Sequence, residues 1–215
     1  MAFKLPKLIA TSVVRGSVQG ESHGGIFTVD FEKKEAEQHV DWNTSNIDFE
    51  GRGADRGLRG ICFNEEDIYI AASDELFCYD KNFKNKGSIK NRYLKHAHEI
   101  CRMENRIFLT STGFDSLLSF NLEAKQFDWG FQLRKEYDQW TGGLFDPRKS
   151  IGPRPVNDFH INMIDVSEDG IFFSGLRTEG LFLLKVDNTV AKVCELPPGT
   201  HNPQFWKDGI IFNDT

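Results

Sequence analysis

The chain has 215 residues, which is enough to bury a full hydrophobic core and fits one domain or an array of repeats. Its formal net charge is −6. Nucleic-acid binding needs a concentrated basic face, so we do not expect a nucleic-acid partner. The apolar residues include 19 Phe and many Ile and Val, which suit half-buried strands better than helices. We therefore expect an all-β protein.

The N-terminal stretch MAFKLPKLIATSVVRG is interrupted by Pro6, Lys7 and Arg15. It lacks the continuous apolar run of a signal peptide or a membrane span. The 4 cysteines are widely spaced and form no CxxC pair, so we predict reduced core residues and neither a zinc site nor disulfides. Together these features predict a soluble, cytoplasmic protein without a membrane partner.

A unit of about forty residues recurs along the chain. Residues 1–50 contain the patterns of a second, third and fourth strand (LIATSVVRG, GGIFTVDFE and AEQHVDW). Complete units follow at residues 56–90, 95–133 and 157–197, each with four strand signals separated by turns. Residues 199–215 supply a first and a second strand, THNPQFW and GIIFNDT. This strand order is that of β-propeller blades, whose first strands line a central channel.

Both terminal units are partial. An N-terminal unit without a first strand is typical of a propeller closed by a strand from the C-terminus, yet no such strand follows GIIFNDT. We therefore expect a propeller of four-stranded antiparallel blades that is a C-terminally truncated portion of a larger, about six-bladed protein. A four-bladed closure that uses both partial ends is the alternative. Residues 134–156 are predicted as an inserted loop that could cover one face.

One position of the repeat is polar in every unit that has a first strand. It holds Arg59, His98, His160 and His201, with separations of 39, 62 and 41 residues. The inserted loop accounts for the longer middle separation. Because the first strands of a propeller begin at one face beside the channel, we expect these four side chains to converge. Three imidazoles around an open position would form a metal site of Lewis-acid character, for a divalent cation.

Duplication explains the same pattern without a site, because a repeated polar residue can also cap backbone groups or form hydrogen bonds between blades. Both interpretations stay open. Loops on a rigid scaffold are where binding sites usually lie, and several polar loop residues map to this face. The residues predicted to bind a ligand there are Arg59, Asp115, Asn157, Asp158, Arg177 and Asn202.

Several segments resemble a group of poorly characterised bacterial β-propeller proteins. They are GLRGICF, DELFCYD, HEICRMENRIFLTSTGFDSLLSFNL, NDFHIN and GTHNPQFW, so that the likeness covers nearly the whole chain. Those relatives are longer. The resemblance therefore implies a larger propeller and leaves the activity open.

The segment RPVNDFHINMIDVSEDGIFFSG is similar to part of the calcium-dependent gluconolactonase and senescence-marker propellers, which are six-bladed hydrolases of lactones and esters. The resemblance implies that Asn157 faces a substrate or metal and that Asn202 stands near a calcium-ligating asparagine. This chain departs from the pattern by inserting Val156 and by placing histidines where that family has none. Calcium prefers oxygen ligands, so the histidines disagree with a transferred calcium site.

The sequence supports two functions. The first is a metal-assisted hydrolase or lyase acting on a small molecule, with His98, His160 and His201 as metal ligands and Arg59 or Arg177 orienting an anionic group. The second is a non-catalytic propeller that binds a ligand or a protein through the same face, chiefly through the inserted loop. The chain has no Gly-x-Ser-x-Gly elbow, so serine nucleophile chemistry has no support.

Overall fold

The computed structural model describes residues 5–18, 20–43 and 57–214. Within these ranges the chain forms five antiparallel sheets, and the only helical element is one short 3-10 turn between two strands. Residues 1–4, 19, 44–56 and 215 lie outside the described residues, and with them parts of the predicted partial units 1–50 and 199–215 and the first residue of the unit 56–90. Among those described, no helix is long and apolar enough to cross a membrane.

Each sheet is a run of strands that are neighbours in both sequence and space. The first sheet contains β1 (Leu8–Thr11), β2 (Gly25–Asp30) and β3 (Glu35–Asp41). The second contains β4 (Ile61–Asn64), β5 (Asp67–Ala72), β6 (Glu75–Tyr79) and β7 (Asn85–Lys90). The third contains β8 (Ile100–Met103), β9 (Arg106–Ser111), β10 (Ser116–Asn121), β11 (Gln126–Glu136) and β12 (Gln139–Phe145). The fourth contains β13 (Ile161–Ser167), β14 (Gly170–Gly175), β15 (Gly180–Lys185) and β16 (Val190–Glu195), and the fifth β17 (Thr200–Trp206) and β18 (Gly209–Asp214).

The arrangement of these sheets is that of a β-propeller, as predicted. The first strands β4, β8, β13 and β17 contact one another in that order and so stand around a common axis. As the repeat indicated, the first sheet consists of three strands and the last of two.

Hydrophobic clusters fill the spaces between successive sheets. Leu109 and Phe120 are fully buried between the second and third sheets, and Phe173 and Phe182 between the third and fourth. Each such side chain contributes about 1.5–3 kcal/mol relative to leaving it exposed. The apolar residues of both faces of a blade therefore fix how neighbouring blades pack, and with it how their first strands meet.

The segment predicted as an inserted loop, residues 134–156, is a loop only in its second part. Strand β11 extends to Glu136, and β12 returns beside it as a fifth strand at the outer edge of the sheet. The sequence prediction missed β12 because its two adjacent glycines weaken a strand pattern. The first of them is required because an aromatic ring occupies the space of a side chain: a Cβ on Gly142 would lie 2.1 Å from Cζ of Phe131.

This hairpin contacts the neighbouring blade through Trp140. The ring centroid of Trp140 lies 5.0 Å from that of Phe159 and 4.8 Å from that of Phe182. Further along, the amide of Val156 donates a hydrogen bond to the carbonyl of Gly113, at 3.0 Å. Because Phe159 directly precedes His160, the inserted segment packs against the residue that leads into the predicted site.

Candidate functional site

Three histidines meet where the first strands begin. His98 lies two residues before β8, His160 directly precedes β13, and His201 is the second residue of β17. Their ligand nitrogens all lie within 4.8 Å of one another. The ring centroid of His98 is 5.2 Å from that of His160 and 5.7 Å from that of His201. The predicted convergence of these three side chains is therefore confirmed.

The ring of His98 is buried, and hydrogen bonds to one of its nitrogens, Nδ1, fix its orientation. Its Nδ1 lies 2.8 Å from the carbonyl oxygen of His96 and 2.9 Å from Oγ1 of Thr112. A carbonyl oxygen only accepts, so Nδ1 carries the proton. The Thr112 hydroxyl accepts from that N–H and donates its own hydrogen to the carbonyl of Ile161. Nε2 of His98 consequently holds the lone pair that a ligand can use.

His160 is held by a carboxylate that binds its main chain. Asp115 is fully buried and accepts hydrogen bonds from the amides of Asp158, Phe159 and His160 at 2.6, 3.1 and 3.0 Å. These bonds stabilise a turn in which His160 has a φ of 56°. The Nδ1 of His160 lies 3.2 Å from Oδ1 of Asn157.

The structure shows a structural role for Asp115, and its predicted binding of a ligand stays a prediction. Both of its carboxylate oxygens already bind main-chain amides, so it acts as a positioning residue for the turn before β13. Its own φ is 45°, a left-handed conformation that directs the loop between β9 and β10 toward the next blade. Burial raises the pKa of Asp115, and the three amide donors partly offset that effect.

The ring of His201 has fewer contacts that fix its position than the rings of His98 and His160. The amide of Asn202, its neighbour in β17, lies 3.4 Å from Oδ1 of Asn162. Asn162 is fully buried, and its Nδ2 has no hydrogen-bond partner among the described residues. The equivalent positions of two other units hold Ile61 and Ile100. A buried amide at an otherwise apolar position costs stability, and here it links the fourth and fifth sheets at the site.

The electrostatic surroundings keep all three rings neutral. Burial, followed by the positive charge of Arg59, lowers the pKa of His98 to about 2. Burial and the charge of Arg177 lower the pKa of His160 to about 4. The pKa of His201 is also lowered, by burial and by Arg59. Neutral imidazole is the form that coordinates metal ions, so the three lone pairs are available at neutral pH.

A cavity of about 500 Å³ opens beside two of the histidines. Arg59, His98, Glu99 and His201 line it, together with apolar residues of β1 and its flanks. Burial raises the pKa of Glu99 to about 7, and the charge of Arg59 opposes that rise. The cavity therefore combines two imidazoles, a guanidinium and a carboxyl group.

The remaining residues predicted to bind a ligand lie around this centre. Asn157, Asp158 and Arg177 are exposed. Nη1 of Arg177 lies 2.7 Å from the carbonyl oxygen of Asn157 and 3.5 Å from that of Asp158. The side-chain oxygen of Asn202 accepts a hydrogen bond from Nε2 of Gln204 at 2.8 Å.

The site also includes residues that the sequence did not single out, namely Glu99, Thr112 and Asn162. For two of them, comparison of aligned positions in the repeat could have identified the residue. Asn162 is polar where Ile61 and Ile100 are apolar, and Glu99 is acidic where the next unit has Ile161. Thr112 gave no signal, because its partners include a carbonyl group on the next blade.

No protein-family model matches the chain, and no curated protein matches it. Solved structures similar to it include a streptogramin B lyase, with a TM-score of 0.51 and 13% identity over 87% of this chain and 68% of that chain. Another is virginiamycin B lyase from Staphylococcus aureus, with a TM-score of 0.50 and 13% identity over 87% of this chain and 69% of that chain. At this identity the likeness shows the β-propeller fold alone. The coverage fits the expectation of a portion of a larger propeller.

Proposed function

We propose that His98, His160 and His201 bind a divalent metal ion and that the protein is a metal-assisted hydrolase or lyase of a small molecule. One observation carries the proposal: the ligand nitrogens of three neutral imidazoles lie within 4.8 Å of one another. Each neutral imidazole has one unprotonated nitrogen, and three such nitrogens can share one cation. The class of partner proposed is a small molecule, since the net charge of −6 disfavours nucleic acid.

The chemistry of the donors fits a catalytic metal better than a structural one. Structural zinc sites are closed by four protein ligands, whereas catalytic sites have three protein ligands and one open position. A bound ion of this kind polarises a carbonyl group or activates water. The Nδ1–H of His98 donates to a carbonyl oxygen and a hydroxyl, which is the support that metal-ligating histidines usually have. Glu99 lines the adjoining cavity and supplies a carboxyl group of the type that transfers protons.

Tetrahedral bonds of about 2.0–2.1 Å place ligand nitrogens roughly 3.4 Å apart. Binding therefore requires the widest nitrogen–nitrogen distance, at most 4.8 Å, to shorten by up to about 1.4 Å. His201 is the member of the three without a hydrogen bond to its ring among the described residues, so we expect its side chain to make most of this movement.

Metal analysis of the purified chain tests the proposal. We expect about one equivalent of a divalent metal by plasma mass spectrometry after loading and desalting, and its loss in the double variant His160→Ala, His201→Ala. His39→Ala is the matched control, because His39 lies on β3 and stacks on Phe83 away from the site. Absence of stoichiometric metal from the wild-type chain, or its retention in the double variant, contradicts the proposal.

A non-catalytic ligand- or protein-binding propeller is the second function that we propose to test. Its supporting observation is the β11–β12 hairpin, where Tyr137 at the turn is fully exposed while Trp140 anchors the hairpin to the next blade. Replacing residues 136–139 with a two-residue Asn-Gly turn should abolish binding of a partner and leave metal content unchanged. If the metal-dependent function is correct, the histidine variants should reduce ligand binding more than replacement of the turn does.

Two finer assignments belong with this proposal. The proposal of hydrolase or lyase chemistry takes its reaction class from the resemblance of the segment from Arg154 to Gly175 to gluconolactonase-type propellers and from the three histidines. A cytoplasmic location is proposed because the 4 cysteines are free thiols, as expected in a reducing compartment.

A further inference from the structure

Arg177 carries a guanidinium group that is fixed in place by neutral partners. Its Nη1 donates to the carbonyl oxygens of Asn157 and Asp158, at 2.7 and 3.5 Å. Within the described part of the chain, no carboxylate forms an ion pair with it. Carbonyl groups orient a guanidinium without neutralising its charge, so Arg177 presents a full positive charge in a defined position.

That charge lies beside the histidines. Asn157 accepts from Arg177 through its backbone carbonyl, and its side-chain oxygen meets Nδ1 of His160 at 3.2 Å. The same turn therefore holds both the guanidinium and the imidazole. The electrostatic effect agrees with this arrangement, because Arg177 is the leading cause, after burial, of the lowered pKa of His160.

The free part of the guanidinium has a preferred ligand. Nη1 is occupied, whereas Nε and Nη2 have no hydrogen-bond partner among the described residues. The Nε–Nη2 edge of arginine binds two oxygens of a carboxylate or phosphate in parallel. A neutral or cationic ligand would leave this edge unpaired.

We propose that the site takes a small molecule bearing an oxyanion, a carboxylate or a phosphate, which Arg177 binds through this edge while the rest of the molecule reaches the three histidines. The approach of the ligand to the three histidines rests on the proposed metal-dependent function, whereas anion binding by Arg177 does not. Arg59 supports the assignment, because it lines the adjoining cavity and adds a second positive charge there. The two guanidinium groups lie on either side of the histidines in a chain whose net charge is −6, and such a local placement of positive charge attracts anions.

Calorimetric titration of the metal-free 215-residue chain at low ionic strength tests the inference. The probes are succinate, inorganic phosphate and succinamide, the uncharged counterpart of succinate. The variants are Arg177→Gln, which removes the charge, and Arg177→Lys, which retains the charge and loses the two-pronged edge. Arg148→Gln is the matched control, since Arg148 is exposed and pairs with Asp146 outside the site.

We expect saturable binding of succinate or phosphate, with the tighter of the two identifying the oxyanion, and little binding of succinamide. Arg177→Gln should weaken anion binding by about tenfold or more, and Arg177→Lys by less. Arg148→Gln should bind as the wild type does. Equal binding of succinate and succinamide, unchanged affinity in a folded Arg177→Gln variant, or no saturable anion binding would each overturn the inference.

The two proposals fail separately. Titrations on metal-free protein do not depend on the histidines holding an ion, so an Arg177-dependent anion site can stand when metal analysis is negative. Conversely, Arg177→Gln should retain the metal content of the wild type. Circular dichroism and the thermal midpoint of each variant establish that lost binding reflects the guanidinium and not unfolding.

Discussion

The two sides of the histidine site are constructed differently. On the side of the third and fourth sheets, His98 is oriented by Thr112, and the turn that carries His160 is bound by the buried carboxylate of Asp115. On the side of the fifth sheet, the main chain of His201 pairs with Asn213 of β18, but no hydrogen bond to its ring is formed among the described residues. Its neighbour Asn202 contacts the fourth sheet through one hydrogen bond of 3.4 Å to Asn162. Pre-organisation is therefore concentrated where the third and fourth sheets meet.

The difference follows from the hydrogen bonds that each blade forms to the next blade. The loop between β9 and β10 ends at Asp115, which has a left-handed conformation. The side chains of Thr112 and Asp115 form hydrogen bonds across the blade boundary and so position the start of β13. Between the fourth and fifth sheets the corresponding link is Asn162, which uses its oxygen and leaves its Nδ2 without a partner in the described residues. The rings of His98 and His160 thus have hydrogen-bond partners, whereas the ring of His201 has none among the described residues, and we expect that ring to adjust most to a ligand.

Removal of the Asp115 carboxylate should have the largest effect. Asp115→Ala leaves three main-chain amides without their acceptor. We expect the free energy of unfolding to fall by about 3 kcal/mol, because buried donors without partners cost about 1–3 kcal/mol each and the exposed part of this turn can bind water. Urea denaturation monitored by tryptophan fluorescence measures the loss.

Asp158→Ala is the matched control for this measurement, since its carboxylate is exposed and only its amide contributes to the turn. It should change the unfolding free energy by less than about 0.5 kcal/mol. If Asp115→Ala is as stable as Asp158→Ala, the buried carboxylate does not hold the turn, and the contrast between the two sides of the site is unfounded.

The next largest effect is expected from Thr112→Val, which keeps the shape of the side chain and removes the acceptor for Nδ1–H of His98. The metal affinity should fall by about 10–100-fold, as it does when a hydrogen-bond partner of a metal-ligating histidine is removed. Thr112→Ser retains the hydroxyl and should stay close to the wild type.

The tautomer of His98 provides a readout that does not require metal. In ¹⁵N NMR spectra of the metal-free wild type, we expect Nδ1 to be protonated and Nε2 to be unprotonated. Thr112→Val should increase the population of the other tautomer or the mobility of the ring, although the carbonyl of His96 still accepts. A wild-type ring with its proton on Nε2 would contradict the assignment directly.

The sequence predicted the blade order and the convergence of three histidines because both follow from a repeat: equal positions in equal units must meet around one axis. It could not predict what Thr112 and Asp115 contact, because those partners belong to a neighbouring blade and their choice depends on loop conformation. Strand β12 was hidden for a related reason. Its two glycines weaken the strand pattern in the sequence, and the reason for one of them, Gly142, is visible only in the structure, where the ring of Phe131 fills the space of a side chain.

A smaller effect is expected from Asn162→Leu, which restores an apolar side chain of similar volume. The variant loses the acceptor for the Asn202 amide but no longer buries an unpaired amide group, so its stability should change by no more than about 1 kcal/mol. Metal affinity should nevertheless fall, because the start of β17 is less constrained. A large loss of stability would show that Asn162 has a structural role beyond this link.

The smallest effect is expected from Arg106→Gln. This variant tests whether a change in the third sheet away from the site alters binding at the site. Arg106 begins β9, binds both oxygens of Asp128 and is partly exposed. Burial alone would raise the pKa of Asp128, but hydrogen bonds from Arg106 and Asn121 and the charge of nearby arginines hold it below its ordinary value. A lowered pKa means that the carboxylate contributes stability above the unfolded-state pKa of about 3.9 and loses it as the pH falls through the folded-state value.

The wild type should therefore exceed Arg106→Gln in unfolding free energy by about 0.5–1 kcal/mol between pH 5 and 8, after allowance for solvent screening. The difference should shrink toward zero as the pH falls below about 4, when Asp128 takes up a proton. Metal content and anion affinity at neutral pH should match those of the wild type, because the pair lies on the strand end opposite Ser111 and Thr112. A change in either at neutral pH would show that the site responds to the packing of the whole third sheet. In that case the difference between the two sides of the site would be a property of whole blades and not of the individual hydrogen bonds described above.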